Sequence, residues 1–280
     1  MTRIDSSTVV VLTGAASGIG RALALELAGA GARLAISDVD AAGLQETADL
    51  VREATGLEAR VDKLDVRDRT AWKEYADTVV ADLGSVSVVI NNAGVALNGD
   101  VVDMTDEQLD FVMDVDFWGV VNGTRAFLPH VIASGGHVVN ISSLFGLLAV
   151  PGQSAYNAAK FGVRGFTEAL RQEMVIARNG VSVTCVHPGG VKTAIARNAA
   201  SAGATDQQRS ADFFDKHLAK TTAEQAAAII VEGIRKDRAR VLVGRDAKAL
   251  DLLVRLTGSG YQRVVSRVVG RANKRLIGIV

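Results

Sequence analysis

The sequence predicts an α/β fold, a single doubly wound parallel sheet with helices on both faces, and three observations carry the prediction. Short apolar, β-branched runs alternate with helical patterns from Val9 to Val243. The first run, Val9-Val10-Val11-Leu12-Thr13, passes directly into Gly14-Ala15-Ala16-Ser17-Gly18-Ile19-Gly20 and then a helical stretch, Arg21 to Ala28. Strand, glycine loop and helix in that order are the context a dinucleotide-binding turn requires, a mere tight turn being the other reading. The 280 residues contain 3 prolines and no linker, which suits one unit of this class.

Each element has a local reason. Glycines at 14, 18 and 20 permit a sharp turn and let the backbone around Ser17 and Ile19 approach a pyrophosphate at the helix N-terminus. The second strand, Arg33 to Asp38, ends in an acid about 20 residues after the loop, where a carboxylate accepts from both ribose hydroxyls of an adenosine. A 2′-phosphate would face Asp38 without compensation, because no Lys or Arg precedes Gly18 in the loop or follows Asp38. NAD is therefore expected over NADP. The other reading of Asp38 is a cap for the helix Ala41 to Thr55.

A third strand, Glu58 to Leu64, leads to Asp65-Val66, placed to flank an adenine, and then to the helix Asp68 to Leu83. A fourth, Val86 to Ile90, meets Asn91-Asn92-Ala93-Gly94, small residues that suit cofactor passage and amides that can tie strands together. A helix is expected from Asp106 to His130, and a buried strand from His137 to Ile141. Ser142 and Ser143 follow, then an Ala-rich helix start with Tyr156 and Lys160 four apart on one face.

Such a pair is common on helices, yet it makes a workable acid/base unit beside a serine. Bringing a tyrosine down by roughly 3 units needs about 4 kcal/mol, and an ammonium at about 4 Å supplies that order of energy at an effective dielectric of ~20. Ser143 would hold a substrate oxygen. The next strand, Val181 to Val186, carries Cys185 as a buried, inert thiol. It ends in His187-Pro188-Gly189-Gly190-Val191-Lys192-Thr193, where Thr193 can reach a cofactor and His187 reads as a packed or capping residue. Residues Ala194 to Leu218, anchored by Phe213-Phe214, read as a lid. A helix from Thr222 to Arg235 and a strand from Val241 to Val243 close the sheet.

Lys+Arg and Asp+Glu number 31 each, so net charge gives no case for a nucleic-acid partner. No apolar stretch reaches about 18 residues, and the polar start Met1 to Ser7 is not expected to act as a signal peptide; a reducing cytoplasm is expected. No metal site is expected. From Arg235 onward 12 basic residues face 3 acidic ones. The tail holds an amphipathic helix, Ala247 to Leu256, and a second stretch, Tyr261 to Val269, with Arg263, Arg267, Arg271, Lys274 and Arg275. It reads as a solvated basic helix, a subunit-packing arm, or an interfacial helix making peripheral contact with anionic lipid.

Thr13-Gly14-x-x-x-Gly18-x-Gly20, Asp65-Val66, Asn91-Asn92-Ala93-Gly94, Ser143, Tyr156-x-x-x-Lys160 and Pro188-Gly189-x-Val191-x-Thr193, in this order, resemble the short NAD(P)(H)-dependent branch of the short-chain dehydrogenase/reductase family. The likeness runs from Val9 to Gly244. It implies a Rossmann-type sheet of about seven strands over residues 1–245, with 246–280 as a basic helical extension. It implies Tyr156 as general acid/base, Ser143 as substrate anchor, and Lys160 as the group that holds a ribose and lowers the tyrosine pKa. A homodimer or homotetramer is also implied.

The sequence departs from the family at Val115-Asp116-Phe117-Trp118-Gly119, where the family has an asparagine in place of Asp116. That residue's main-chain carbonyl helps hold a relay water, a role aspartate preserves, and Asp116 is kept as a catalytic candidate. Its carboxylate would also compete for the charge of Lys160. The expected activity is hydride transfer between NAD(H) and a secondary alcohol or ketone. The alternative is a nucleotide-binding regulatory or scaffold protein with little catalysis. Leu144, Phe145, Leu147, Leu148, Val150, Val95, Leu97 and Phe213-Phe214 suggest an apolar pocket for a lipophilic small-molecule substrate, such as a sterol, terpenoid or fatty derivative; the same residues also read as core or subunit interface.

Overall fold

The computed structural model describes the chain apart from positions 194, 196–198, 204–207, 209–211, 213–215, 217–218 and 278–280, with side chains described to position 270. In chain order the elements are β1 (Val9–Thr13), α1 (Gly18–Gly29), β2 (Arg33–Asp38), α2 (Ala41–Thr55), β3 (Arg60–Lys63) and α3 (Arg69–Leu83). They continue with β4 (Val88–Asn91), β5 (Leu97–Asn98), α4 (Asp106–Met113), α5 (Gly119–Ser134), β6 (His137–Ile141), α6 (Ser154–Ala177) and β7 (Ser182–Pro188). The last are β8 (Ala200–Ser201), α7 (Ala223–Arg235), β9 (Arg240–Val243), α8 (Arg245–Thr257) and α9 (Tyr261–Ile277).

Seven strands form one sheet in the order β3-β2-β1-β4-β6-β7-β9, and every pairing is parallel. The alternation of a strand sorts its side chains between two faces. Val10 and Leu12 of β1 join Leu23 and Leu27 of α1, Leu44 of α2, and Ile230 and Ile234 of α7. Val9 and Val11 point the other way, to Trp72 and Tyr75 of α3, Phe127 of α5 and Leu170 of α6. Covering both faces explains why the central strands are mostly apolar. The order reverses between β1 and β4, so the loops after these two strands flank one crevice at the carboxyl edge.

Several boundaries differ from the expectation. The helix foreseen as Asp106 to His130 runs on to Ser134, but a π turn, Asp114–Trp118, separates α4 from α5. There the Gly119 N–H donates to Asp114 O, which leaves one residue more in the turn than an α-helix holds. β3 is shorter than Glu58 to Leu64, and β4 starts at Val88 because Val86 and Ser87 still lead into the sheet. β5 and β8 pair as a two-residue ribbon that is too short to show periodicity. The foreseen lid is only partly described: Phe213 and Phe214 lie outside the described residues.

The tail does not stand apart. α8 and α9 pack back through Ala247 and Tyr261 onto Leu144, Leu147 and Leu148 after β6. Arg263 and Arg267 remain exposed on the outer side of α9. No described helix is long and apolar enough to cross a membrane, and the described residues hold no cluster suited to a metal ion.

Candidate active site

The crevice beside β1 is shaped by glycine. Gly14 and Gly18 have φ of +67° and +55°, the left-handed region, and a Cβ on Gly20 would lie 2.0 Å from Gly14 O. The Thr13 hydroxyl accepts from the N–H groups of Asn92 and Ala93 at 3.0 and 3.1 Å, while Asn92 Nδ2 donates to Thr13 O and Gly14 O. These bonds lock the loops after β1 and β4 together at the switch point. Helices α2, α3 and α4 are each capped by a side chain, Asp40, Asp68 and Thr105, but Ser17 makes no such bond at the start of α1. An uncapped, glycine-lined helix start offers N–H groups and a positive dipole end to a pyrophosphate. The cradle fits a dinucleotide.

Asp38 is not the cap of α2, since Asp40 accepts from Gly43 N. Asp38 Oδ2 instead accepts from Ala16 N at 3.0 Å, which sets its carboxylate against the glycine loop. Arg21, whose guanidinium reaches this loop, is engaged by Ala16 O, Gly43 O and Glu46. Asp65 is held below the usual carboxylate range by its hydrogen bonds with Arg67. Val66 is buried, and its carbonyl accepts from Trp72 Nε1 and Asn122 Nδ2.

On the far lip Thr193 packs on Gly18, its Cγ2 standing 3.1 Å from where a Cβ would project, and Val191 is buried. Pro188 ends β7. A Cβ on Gly189 would strike the Asp246 carboxylate, which accepts from Gly190 N at 2.7 Å. Asp246 thus pins the glycine turn from the start of α8, a contact across 56 residues that no local pattern announces.

The second half of the site gathers at the end of β6. Ser142 donates to Lys160 O at 2.8 Å and is occupied in holding α6, whereas the Ser143 hydroxyl accepts from Phe145 N at 3.1 Å. Lys160 is 3% exposed; its Nζ lies 3.2 Å from Asp116 Oδ2, 3.4 Å from Ile141 O and 5.4 Å from the centroid of the Tyr156 ring. Asp116 is wholly enclosed, with Oδ1 accepting from Val95 N at 2.7 Å. Gly94 covers this pair, since a Cβ there would sit 3.3 Å from Lys160 Nζ and 3.4 Å from Asp116 Oδ1. Tyr156 meets Phe145 edge to face at 6.2 Å.

The electrostatics correct one expectation. Burial pushes the Tyr156 phenol above its ordinary value, Asp116 adds to this, and the downward pull of Lys160 and Ser143 does not overcome them. The ammonium lies directly against Asp116, so the phenol sees a paired charge rather than a free one. Lys160 is raised despite its burial, chiefly by Asp116, and burial raises Asp116 itself.

Polar residues inside the apolar strands complete the support. Asn91 Nδ2 donates to Asn140 Oδ1 at 2.8 Å and to Thr124 Oγ1 at 3.1 Å, and Asn140 donates to Thr167 at 3.0 Å. His187 Nδ1 donates to Ser143 O at 2.9 Å, so the buried ring is a neutral packing residue that anchors the Ser143 segment. Sequence reasoning foresaw a packed His187 and strand-tying amides, but not Asn140, Thr124 or Thr167. For Asn140 the signal was a polar residue within an apolar run; Thr124 and Thr167, on helices of mixed composition, had none.

The expected apolar pocket is also revised. Leu144, Leu147 and Leu148 are spent on α8 and α9, and Tyr261 Oη accepts from Ala149 N at 3.0 Å. Leu97 is buried with Val112, Ala155 and Ala159. A groove of about 560 Å³ opens between the 149–152 loop and α9, lined by Val101, Val150, Pro151, Asn157, Gln262 and Val265.

Comparison with known proteins bears on this arrangement. Residues 8–203 match the pattern of the short chain dehydrogenase family. The chain belongs to the short-chain dehydrogenase/reductase family. It is 61% identical over 264 residues to SadH of Mycobacterium tuberculosis, provisionally named an oxidoreductase, covering 94% of this chain and 95% of that one. It is 39% identical over 188 residues to the 3-oxoacyl-[acyl-carrier-protein] reductase FabG of Thermotoga maritima, covering 66% of this chain and 74% of that one. Among solved structures it superposes on a short-chain dehydrogenase/reductase from Burkholderia phymatum in complex with NAD, with a TM-score of 0.84 and 30% identity over 90% of this chain and 94% of that one. As a short-chain dehydrogenase/reductase the protein is an oxidoreductase of the Rossmann type, acting with NAD or NADP on a small molecule.

Proposed function

We propose that this short-chain dehydrogenase/reductase interconverts a secondary alcohol and its ketone with NAD(H), using Tyr156 as the acid/base. The observation that carries the reading is the convergence of Ser143, Tyr156 and Lys160 at the carboxyl end of β6, beside the glycine-lined start of α1. When bound, the nicotinamide supplies or accepts the hydride. The chain's own residues do the rest. Ser143 holds the substrate oxygen, Tyr156 donates or receives its proton, and Lys160 holds the nicotinamide ribose while lending positive charge. Gly14, Ser17, Gly18, Ile19 and Gly20 hold the pyrophosphate, Asp65 and Val66 flank the adenine, and Asn92, Ala93, Gly94, Pro188, Gly189, Val191 and Thr193 line the nicotinamide half.

The choice of NAD rests on Asp38, whose carboxylate lies against Ala16 N where a 2′-phosphate would meet it. A lipophilic substrate is supported by the groove against α9 and by the likeness to a reductase named for a 3-oxoacyl substrate. Partly exposed Phe111, Trp118, Ile132 and Phe161 on α4, the π turn, α5 and α6 support a homodimer or homotetramer packed through these helices.

The test is NADH and NADPH binding by fluorescence, then turnover on a panel of lipophilic secondary alcohols and ketones with Tyr156→Phe alongside. NADH binding tighter than NADPH, with Tyr156-dependent turnover, is expected. Turnover unaffected by Tyr156→Phe would sink the mechanism. One observation favours a second reading: the 3.2 Å contact of Asp116 with Lys160 suits a cofactor-binding regulatory protein whose chemistry is suppressed. Binding without turnover on the whole panel, restored by Asp116→Asn, would select it.

A further inference from the structure

The dehydrogenase reading leaves the Asp116 carboxylate without a task, although the structure gives it a specific place. The π turn Asp114–Trp118 carries Asp116 into the site, where one carboxylate oxygen takes the Val95 N–H and the other meets Lys160 Nζ at 3.2 Å. Gly94 lies over the pair closely enough that a Cβ there would press on Lys160 Nζ at 3.3 Å. The contact is direct.

We propose that Asp116 is a positioning residue whose ionised carboxylate fixes the Lys160 ammonium, draws its charge away from Tyr156, and so keeps the Tyr156 proton in place to higher pH than the lysine alone would. This rests on the reading of Tyr156 as the acid/base. A lone ammonium acts on the phenol as a charge, whereas an ammonium paired at 3.2 Å acts as a dipole with its negative end also buried nearby. Burial raises Asp116, while the Lys160 ammonium at 3.2 Å and the Val95 N–H both favour its charged form. The other titratable groups facing the cluster are Tyr156 from α6 and Cys185 from β7. The Cys185 thiol, pushed up to about 12 by burial, is neutral and does not compete.

The effect reads out without cofactor or substrate. Tyrosinate absorbance of the full chain is titrated against that of its Tyr156→Phe variant, which isolates the Tyr156 step, and the same pair is made with Asp116→Asn. Asparagine keeps the shape and the acceptor for Val95 N–H while removing the charge. The Tyr156 step is expected to fall by about one pH unit, or about ten-fold more tyrosinate at a given pH on its rising limb. In a Lys160→Met background the same substitution is expected to move nothing, because an unpaired buried carboxyl is already neutral.

An unmoved or rising step with Lys160 present would overturn the proposal. So would an equal fall in the Lys160→Met background. Circular dichroism checks folding, and Asp116→Ser repeats the test should the asparagine variant not fold. The pH profile of alcohol oxidation supplies a second readout, its acidic limb moving down by the same amount. A shifted titration with no turnover in any variant would sink the dehydrogenase reading and leave this coupling intact.

Discussion

Gly20 stands where no larger residue fits, because its Cβ would lie 2.0 Å from the carbonyl of Gly14. Gly20→Ala is expected to destabilise the protein by about 2 kcal/mol through overpacking and to abolish dinucleotide binding. Thermal unfolding and NADH fluorescence would show both, and an alanine variant that binds NADH normally would refute the placement of the pyrophosphate. Tyr156→Phe removes one hydroxyl from a half-buried ring. It should leave NADH affinity within about two-fold and lower turnover on the order of 10²- to 10⁴-fold, the span of acid/base catalysis. At this scale spacing put Tyr156 and Lys160 on one helical face, the family resemblance singled out Ser143 with them, and the structure shows the neighbouring Ser142 hydroxyl engaged with Lys160 O. The charge state of Tyr156 was not readable, since it depends on where Asp116 lies relative to Lys160.

Among the elements, the π turn between α4 and α5 and the packing of α9 escaped sequence reasoning for different reasons. A π turn leaves the apolar pattern of a helix nearly intact and adds one residue, which periodicity does not resolve. The α9 contact is tertiary: Tyr261 lies 112 residues from Ala149, whose N–H donates to its hydroxyl. Tyr261→Phe removes that hydrogen bond, whose donor belongs to the exposed residue Ala149, and should cost about 1 kcal/mol in urea unfolding. The loosened 149–152 segment should raise KM more than it lowers kcat, because it borders the groove rather than the Ser143 and Tyr156 hydroxyls. Equal losses in both constants would show that the segment shapes the reacting groups themselves.

Across the whole molecule, two buried histidines tie stability to pH. His137 accepts from Thr2 at Nδ1 and donates to Thr184, whose own proton goes to Arg238 O; His187 donates to Ser143 O. Burial pushes both to about 4. Between about pH 6.5 and 4 the unfolded chain therefore binds more protons at these sites than the folded one, and stability falls as pH falls through that window. At pH 5 each should cost about 2 kcal/mol relative to pH 7. Urea unfolding at the two pH values would measure this, and a His137→Gln variant with an unchanged slope would exclude that residue.

The strands, the helices between them and the glycine loop were determined by the sequence itself, because burial on both faces and a tight turn each demand residue types at fixed local spacing. Handedness of the parallel units narrows the strand orders, and the structure selects β3-β2-β1-β4-β6-β7-β9, with its reversal between β1 and β4. Only the tertiary structure decided that Asp116 meets Lys160, that Asp246 pins the Gly190 turn, and that Leu144, Leu147 and Leu148 serve α8 and α9 rather than an open pocket. Each of these depends on segments far apart in the chain coming within a few ångströms, and neither local spacing nor composition encodes such distances.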